Sequence, residues 1–282
     1  MTLALPMDLT SLVCALDGAP RGLFLAAAVA GDEWAARWLA REYELTAADA
    51  RAENNRALRG ACAGGHLGLA QWLAREFGLI AADARAGVNS ALHEACAGGH
   101  LAAAQWLAKS FSLTAADARG GDNSTLCITC IGGHLGVAQW LTAEFGFTAE
   151  DARDRGNRAL WLTCAFGHLE VAQWLTSTFG LTAADARTAS DSVLGLPCAR
   201  GHLGVAQWLT RTFGLTADDA RGGQNYALRQ SCGNGRLDVV KWLVGTFGLT
   251  AADARIDHAL TRALKNGHTE VAEWLLATFG PE

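Results

Sequence analysis

Two short motifs in the sequence have the residue types and the spacing of metal or redox sites. His93, Cys96 and His100 are spaced like metal ligands, and Cys127-x-x-Cys130 resembles half of a zinc or thiol–disulfide site. A structural zinc ion needs a complete set of protein ligands, and the chain has no second Cys-x-x-Cys to supply the rest. We therefore predict that the protein holds no metal ion and no cofactor.

Aspartate and arginine recur together in the motif Thr-Ala-Ala-Asp-Ala-Arg, found at residues 46–51, 114–119, 182–187 and 250–255. Carboxylates can act as general acids or bases, but a pair repeated along the chain indicates a structural role. Threonine followed by aspartate at this spacing is typical of a capping box, so each motif predicts a very short helix and ion pairs between neighbouring units. In one copy Ile80 replaces the threonine, which predicts a weaker cap.

The sequence contains no nucleophile elbow, no phosphate-binding loop and no paired catalytic carboxylates. We therefore predict that the protein is not an enzyme.

The elements that carry these motifs are copies of one unit. Seven tryptophans follow one another at intervals of 34 residues, and an eighth comes after 32. They are Trp38, Trp72, Trp106, Trp140, Trp174, Trp208, Trp242 and Trp274. Six histidines of a Gly-His motif keep the same register: His66, His100, His134, His168, His202 and His268. A period of this length predicts a solenoid of stacked supersecondary units.

Each unit is predicted to contain two main helices and a short third helical turn, which gives an all-α solenoid of eight units. An asparagine or aspartate is predicted to cap the first helix, at Asn55, Asn89, Asn123, Asn157, Asp191, Asn225 and Asp257. A pair such as Gly64-Gly65 ends that helix, and the second helix carries a wide apolar face. The histidines are predicted to hydrogen-bond the backbone where the second helix begins. Gly195 and Pro197 should distort the first helix of the sixth unit.

The predicted boundaries are a leader at residues 1–20 and a single repeat domain at 21–282. Its repeats span about 21–51, 52–85, 86–119, 120–153, 154–187, 188–221, 222–255 and 256–282. The first and last copies are atypical, as expected for units with one neighbour.

Composition narrows the classes of partner. Half of the residues are hydrophobic and 18% are charged, so disorder is excluded. The net charge is −5 and no basic block is present, so neither nucleic acid nor a membrane is expected as a partner. Repeated cysteines would lie ~10 Å apart, too far for disulfides. These features, with a leader that lacks a basic segment, predict a monomer inside the cell, in the cytoplasm or the nucleus.

The Gly-His-Leu motif followed by an apolar helix resembles the middle of an ankyrin repeat, and Ser90-Ala-Leu-His-Glu-Ala95 resembles its opening. The resemblance covers about residues 21–280 and is closest to the divergent, Trp-rich ankyrin families of protists and large DNA viruses. The unit is one residue longer than the usual ankyrin repeat, lacks its proline and carries the short helix in place of a β-hairpin. A tetratricopeptide array has the same period, but it needs two long helices per unit.

Residues that differ between repeats are the candidates for function. Two positions of the first helix vary between repeats: the one that Arg59 occupies, and the one just before the Gly-His motif, which Phe166 occupies. The ankyrin resemblance implies that the second position lines a concave, partner-binding surface. The candidate partner-binding residues are Arg59, His93, Glu94, Ile131, Trp161, Phe166, Arg200, Tyr226, Arg229 and Asn234. Large apolar side chains in the fourth to sixth repeats, such as Trp161 and Phe166, either form an exposed binding patch or fill the core.

Three hypotheses for function follow. The first is a non-catalytic scaffold that binds another protein along the concave face. The second is an adaptor whose leader recruits machinery such as a ubiquitin ligase, although residues 1–20 are too few for a full F-box. The third is an enzyme or metal protein, which the missing motifs disfavour.

Overall fold

The computed structural model describes residues 20–87, 91–120, 125–188, 193–255 and 259–280. Within these ranges every regular element is a helix, which confirms the all-α prediction. The chain divides into two compact units, each made of several repeats. The first unit is Met1–Thr129 with Gly136–Gly146, and the second unit is Cys130–Leu135 with Phe147–Glu282. None of the described helices is long and apolar enough to cross a membrane. Residues 1–19 of the leader and four predicted caps, Asn89, Asn123, Asp191 and Asp257, lie outside the described residues.

The first helix of each repeat buries one narrow stripe, and in four repeats the described helix has only six or seven residues. These helices are Pro20–Ala30, Ala52–Ala63, Ala91–Ala97, Thr125–Ile131, Gly195–Arg200 and Ala259–Lys265, and the longer segments Ala149–Ala165 and Ala217–Gly233 contain the remaining two. The stripe includes a fully buried leucine, such as Leu58 or Leu92, and a buried cysteine one turn later. Burying a leucine stabilises the fold by about 1.5–3 kcal/mol. Helices of seven residues, as at Ala91–Ala97, are too short for a tetratricopeptide unit.

The sixth repeat shows how a proline is accommodated in such a short helix. The helix Gly195–Arg200 has six residues and begins late, so that Pro197 falls in its first turn. A missing N–H donor costs nothing there, because the first backbone donors of a helix have no partner within it. The predicted distortion therefore takes the form of a shortened helix.

The second helix carries the repeated tryptophan and is wedged between neighbours. These helices are Glu33–Glu42, Leu67–Glu76, Leu101–Ser110, Leu135–Phe145, Leu169–Phe179, Leu203–Phe213, Leu237–Phe247 and Thr269–Phe279. In the second repeat the rings of Trp72 and Phe77 meet edge to face with centroids 5.8 Å apart, and the same pair recurs in later repeats. Edge-to-face geometry is favourable because the positive ring edge faces the negative ring face. The tryptophan therefore fixes the C-terminal end of its own helix.

The repeated Ala-Ala-Asp-Ala motif forms the predicted third helix. It appears as Ala47–Ala50, Ala81–Ala84, Ala115–Arg119, Ala183–Arg187 and Ala251–Arg255, and at the start of the segments Ala149–Ala165 and Ala217–Gly233. These helices have only four or five residues where they stand alone. So short a helix depends on its cap, because few backbone bonds form within it.

The link to the next repeat is a left-handed stretch of backbone, which corrects part of the cap prediction. Asn55, Asn157 and Asn225 stand directly before the regular part of the first helix, but their φ angles are 58°, 60° and 57°. Their side chains are buried and their Oδ1 atoms make no hydrogen bond within the protein. They are therefore not side-chain caps. Asparagine suits the position because it tolerates the left-handed conformation better than most residues.

The repeated histidine packs against the preceding repeat. His66, His100, His168, His202 and His268 make no side-chain capping hydrogen bond to the helix that they precede, so that prediction was wrong for them. Instead the imidazole lies over a glycine one repeat earlier. A Cβ on Gly167 would come within 2.6 Å of Nδ1 of His202. A glycine is required for this contact as well as for its φ of +86°.

We predict that Gly167→Ala destabilises the protein more than Gly180→Ala. Both residues have positive φ, but nothing lies within 4 Å of a Cβ on Gly180. Each substitution should cost about 1–2 kcal/mol for the left-handed backbone, and Gly167→Ala should cost about 1–3 kcal/mol more for the displaced imidazole. Urea unfolding followed by circular dichroism measures both. Equal losses would contradict the packing role of His202.

Candidate functional site

The aspartate–arginine motif, a candidate for acid–base chemistry, forms a structural ladder. The guanidinium of Arg85 donates from Nε to Oδ1 of Asp117 (2.6 Å) and from an Nη to Oδ2 (3.0 Å). Oδ2 also accepts from the backbone N–H (2.7 Å) and the hydroxyl (2.9 Å) of Thr114. The same pairing joins Arg51 to Asp83, Arg153 to Asp185, Arg187 to Asp219 and Arg221 to Asp253. These bonds confirm the predicted capping and inter-repeat ion pairs.

These hydrogen bonds hold the ladder carboxylates in the ionised form. The Arg85 guanidinium, helped by Thr114, lowers the pKa of Asp117 to about 2, against the opposing effect of burial. The pKa of Asp185, held by Arg153, is also lowered to about 2. A carboxylate with so low a pKa is a poor general acid or base near neutral pH. At Ile80 the box loses its hydroxyl bond and keeps only the backbone bond to Asp83, at 2.8 Å, as predicted.

The cysteine and histidine motifs do not assemble a site. Among the residues that the structure describes, no three His, Cys, Asp or Glu side chains lie close enough together to hold a metal ion. The repeated cysteines are buried, and burial raises the pKa of Cys62 to about 12. A thiol with so high a pKa is unreactive, because the thiolate is the nucleophile. Burial also lowers the pKa of His93.

In the first unit the structure brings two candidate residues together. The guanidinium of Arg59 lies 3.7 Å from the carboxylate of Glu94, one repeat away. Arg59 also donates from Nε to the backbone carbonyl of Asn54 at 3.0 Å. His93 precedes Glu94 and is only 8% exposed. Arg59 and Glu94 thus form a polar pair, whereas His93 is buried.

In the second unit the structure exposes an aromatic ring beside an arginine. Phe166 ends the helical segment Ala149–Ala165 and is 46% exposed. The guanidinium carbon of Arg200 lies 4.3 Å from the centre of the Phe166 ring, and an Nη of Arg200 donates to the backbone carbonyl of Ala165 at 3.0 Å. Trp161, on the same helix as Phe166, and Ile131 are half-buried. We call Phe166 and Arg200 the Phe166 surface.

The remaining candidates of the second unit pair with different neighbours. Tyr226 and Arg229 lie one turn apart on one helix, with the guanidinium carbon 5.4 Å from the ring centre. Asn234 donates from Nδ2 to the backbone carbonyl of Ala199 at 2.8 Å. Asn266, which is not among the candidate partner-binding residues, makes the same bond to Gly233 at 2.6 Å. Its position in the repeat could have predicted this bond, because Arg200, Asn234 and Asn266 share one repeat position and each donates to the preceding repeat.

Electrostatics beside the Phe166 surface are positive. Burial, and after it the charges of Arg200, His168 and Arg236, lower the pKa of His202. Each neighbouring positive charge disfavours the protonated imidazole. Arg200 therefore contributes positive charge to a surface where Phe166 contributes apolar area.

Comparison with known proteins identifies the fold. No known protein-family profile matches the chain, and no curated protein matches it. Among solved structures, the crystal structure of the human ASB11 ankyrin repeat domain matches with a TM-score of 0.56. The two are 22% identical, and the match covers 80% of this chain and 98% of that domain. This chain has an ankyrin-repeat fold.

The ankyrin-repeat fold agrees with the residues that suggested it. Gly-His-Leu stands where the first helix gives way to the second, and the histidine of one repeat contacts the glycine of the repeat before it. In the described residues the short third helix occupies the place predicted for it, after the second helix of one repeat and before the first helix of the next. The resemblance read from the sequence is therefore confirmed at the level of the fold.

We predict that this ankyrin-repeat protein loses stability steeply as the pH falls from about 4 to about 2. The folded pKa of Asp117, Asp185 and Asp219 is about 2, below the ordinary value of 3.8. Stability from these groups is therefore complete above the ordinary value and is lost as the pH falls through the folded one, because the unfolded chain binds protons first. Urea midpoints measured across this range should show the loss. Asp185→Asn should make the dependence shallower, and an unchanged slope would contradict the assignment.

Proposed function

We propose that the protein is a non-catalytic scaffold that binds another protein through the Phe166 surface. The observation that carries this proposal is the 46% exposed Phe166 ring lying against the Arg200 guanidinium. Aromatic rings and arginines are the side chains most enriched at the energetic centres of protein interfaces. A partner that covered the exposed ring would remove its apolar area from water, which favours binding.

The repeat itself supports this proposal, because Phe166 departs from a small residue. The equivalent positions are Gly64, Gly98 and Gly132 in the second to fourth repeats. In the later repeats this position donates a side-chain hydrogen bond to the repeat before it, from Arg200, Asn234 and Asn266. A phenylalanine side chain has no hydrogen-bond donor. Phe166 therefore takes no part in the hydrogen-bonded column that its neighbours form. Its ring contacts the next repeat through Arg200, and about half of the residue stays exposed for a partner.

Other candidate residues fit around this centre. Ile131 and Trp161 are half-buried and supply apolar area. Tyr226, Arg229 and Asn234 all lie in the seventh repeat and are polar at their ends. In the first unit, Arg59 and Glu94 form a separate polar pair. The partner would be a protein with an apolar side chain for Phe166 and acceptor groups for the arginines. The adaptor hypothesis depends on the leader and stays a prediction.

The test combines affinity capture with direct binding. Proteins captured by the full chain from its source cell would be identified, and the purified partner titrated against each variant. Phe166→Ala should weaken binding about thirtyfold, as for an interface residue worth about 2 kcal/mol. Leu276→Ala is the matched control, because Leu276 is 41% exposed and lies in the last repeat.

Stability measurements separate a binding role from a core role. Phe166→Ala should leave the urea midpoint nearly unchanged, because changes at exposed positions are usually within about 0.5 kcal/mol. Undiminished partner binding by a folded Phe166→Ala variant would contradict the proposal. A large loss of stability together with unchanged binding would show that Phe166 belongs to the core.

A further inference from the structure

A second surface lies on the second helices of the first two repeats, far in sequence from Phe166. Trp34, on the helix Glu33–Glu42, is 50% exposed, and its ring is stacked on Trp38 with centroids 6.4 Å apart and planes at 8°. Later repeats carry small or acidic residues at this position, such as Gly68, Ala102 and Glu170. No packing need of the repeat therefore accounts for Trp34.

The same helix lines a cleft that is rich in arginine. The cleft has a volume of about 500 Å³ and lies between the helices Glu33–Glu42 and Leu67–Glu76. Arg37, Arg41, Arg75 and Glu76 provide its charged groups, and Trp72 contributes an aromatic wall. Its volume is within the range of about 300–1,000 Å³ that ligand sites occupy. The charge of Arg37 is paired with Glu33, and Arg41 and Arg75 against Glu76 leave the cleft locally positive in a chain whose net charge is −5.

Two of the three arginines are available to a partner. Arg37 donates from Nε to the carboxylate of Glu33 at 2.9 Å, and its guanidinium carbon lies 5.1 Å from the Trp72 ring centre. Arg75 donates only to the backbone carbonyl of Gln71, at 3.3 Å. The Arg41 side chain makes no hydrogen bond or ion pair with any residue in the described ranges. Arg41 and Arg75 occupy equivalent positions one repeat apart, so they face the cleft from adjacent helices.

Trp34 and the arginines form one continuous stripe. Residues 34, 37 and 41 fall on one face of an α-helix because they follow its spacing of three and four residues. Carboxylates are the natural partners of a guanidinium, which binds them with two parallel hydrogen bonds. An exposed tryptophan at the end of the stripe offers apolar area to a neighbouring side chain.

We propose that this cleft binds an acidic peptide segment of a partner protein, with carboxylates on Arg41 and Arg75 and an apolar side chain on Trp34. The charge of the cleft, opposite in sign to that of the chain as a whole, selects an acidic segment over a basic one. This surface belongs to the first unit and the Phe166 surface to the second, so the two proposals can fail independently.

The test uses labelled peptides and the full chain. Fluorescein-labelled peptides would each contain two glutamates and one leucine, and the number of residues between them would vary across the set. A matched set would replace both glutamates by glutamine. Fluorescence anisotropy should show binding by members of the glutamate set, weakened by added salt, and none by their glutamine counterparts. The variant Arg41→Gln with Arg75→Gln should weaken binding at least about tenfold, and Trp34→Ala should also weaken it.

Arg211→Gln is the matched control for the arginine variants. Arg211 occupies the position equivalent to Arg75 in the sixth repeat and makes the same 3.3 Å bond, from its Nε to the Gln207 carbonyl. The Arg211→Gln variant should bind the peptides with the same affinity as the unaltered chain. Circular dichroism would verify that each variant is folded.

Several results would overturn the proposal. One is the absence of binding by every member of the glutamate set, and another is equal affinity for the glutamine set. Unchanged affinity after the double arginine substitution would place any bound peptide elsewhere. Binding to phosphatidylserine vesicles without binding to the peptides would assign the cleft to an anionic membrane surface instead.

Discussion

One ion pair, found at five places in the described residues, joins a capping box to the repeat before it. The aspartate carboxylate caps its own short helix through threonine and receives two hydrogen bonds from an arginine one repeat earlier, as Asp219 does from Arg187. The same arginine reaches the carbonyl of Gly214, at the end of the neighbouring second helix. Local capping and stacking thus depend on the same atoms. A helix of four or five residues persists because its cap is held from outside.

The features that could be predicted from sequence are those that every repeat must satisfy. The tryptophan spacing, the Asp–Arg motif and the Gly-His-Leu motif recur because neighbouring repeats present the same contacts, so their pattern indicated the helices, the ladder and the ankyrin resemblance. The stripe of buried leucine and cysteine followed from helical spacing alone. Shared contacts leave a periodic signal, and a periodic signal identifies a fold.

Other features depended on geometry that the residues do not show directly. Asn55 and its equivalents preceded the first helix as predicted, but a helix-start pattern does not distinguish a capping side chain from a left-handed link. The imidazole of His202 packs on Gly167, a contact across repeats that spacing within one repeat cannot show. The sequence did not predict the arginine cleft, because its residues come from two helices and only Trp34 departs plainly from the repeat pattern. The exposure of Phe166 likewise required the fold.

The central claim is that the ladder couples neighbouring repeats, and a double-mutant cycle on Arg187 and Asp219 tests it most directly. Urea unfolding of the two single variants, Arg187→Met and Asp219→Asn, and of their combination gives the coupling between the side chains. If the pair acts as a unit, Arg187→Met should lower stability in the unaltered chain and much less in the Asp219→Asn chain. An equal loss in both backgrounds would show that the two residues act independently and would contradict the account.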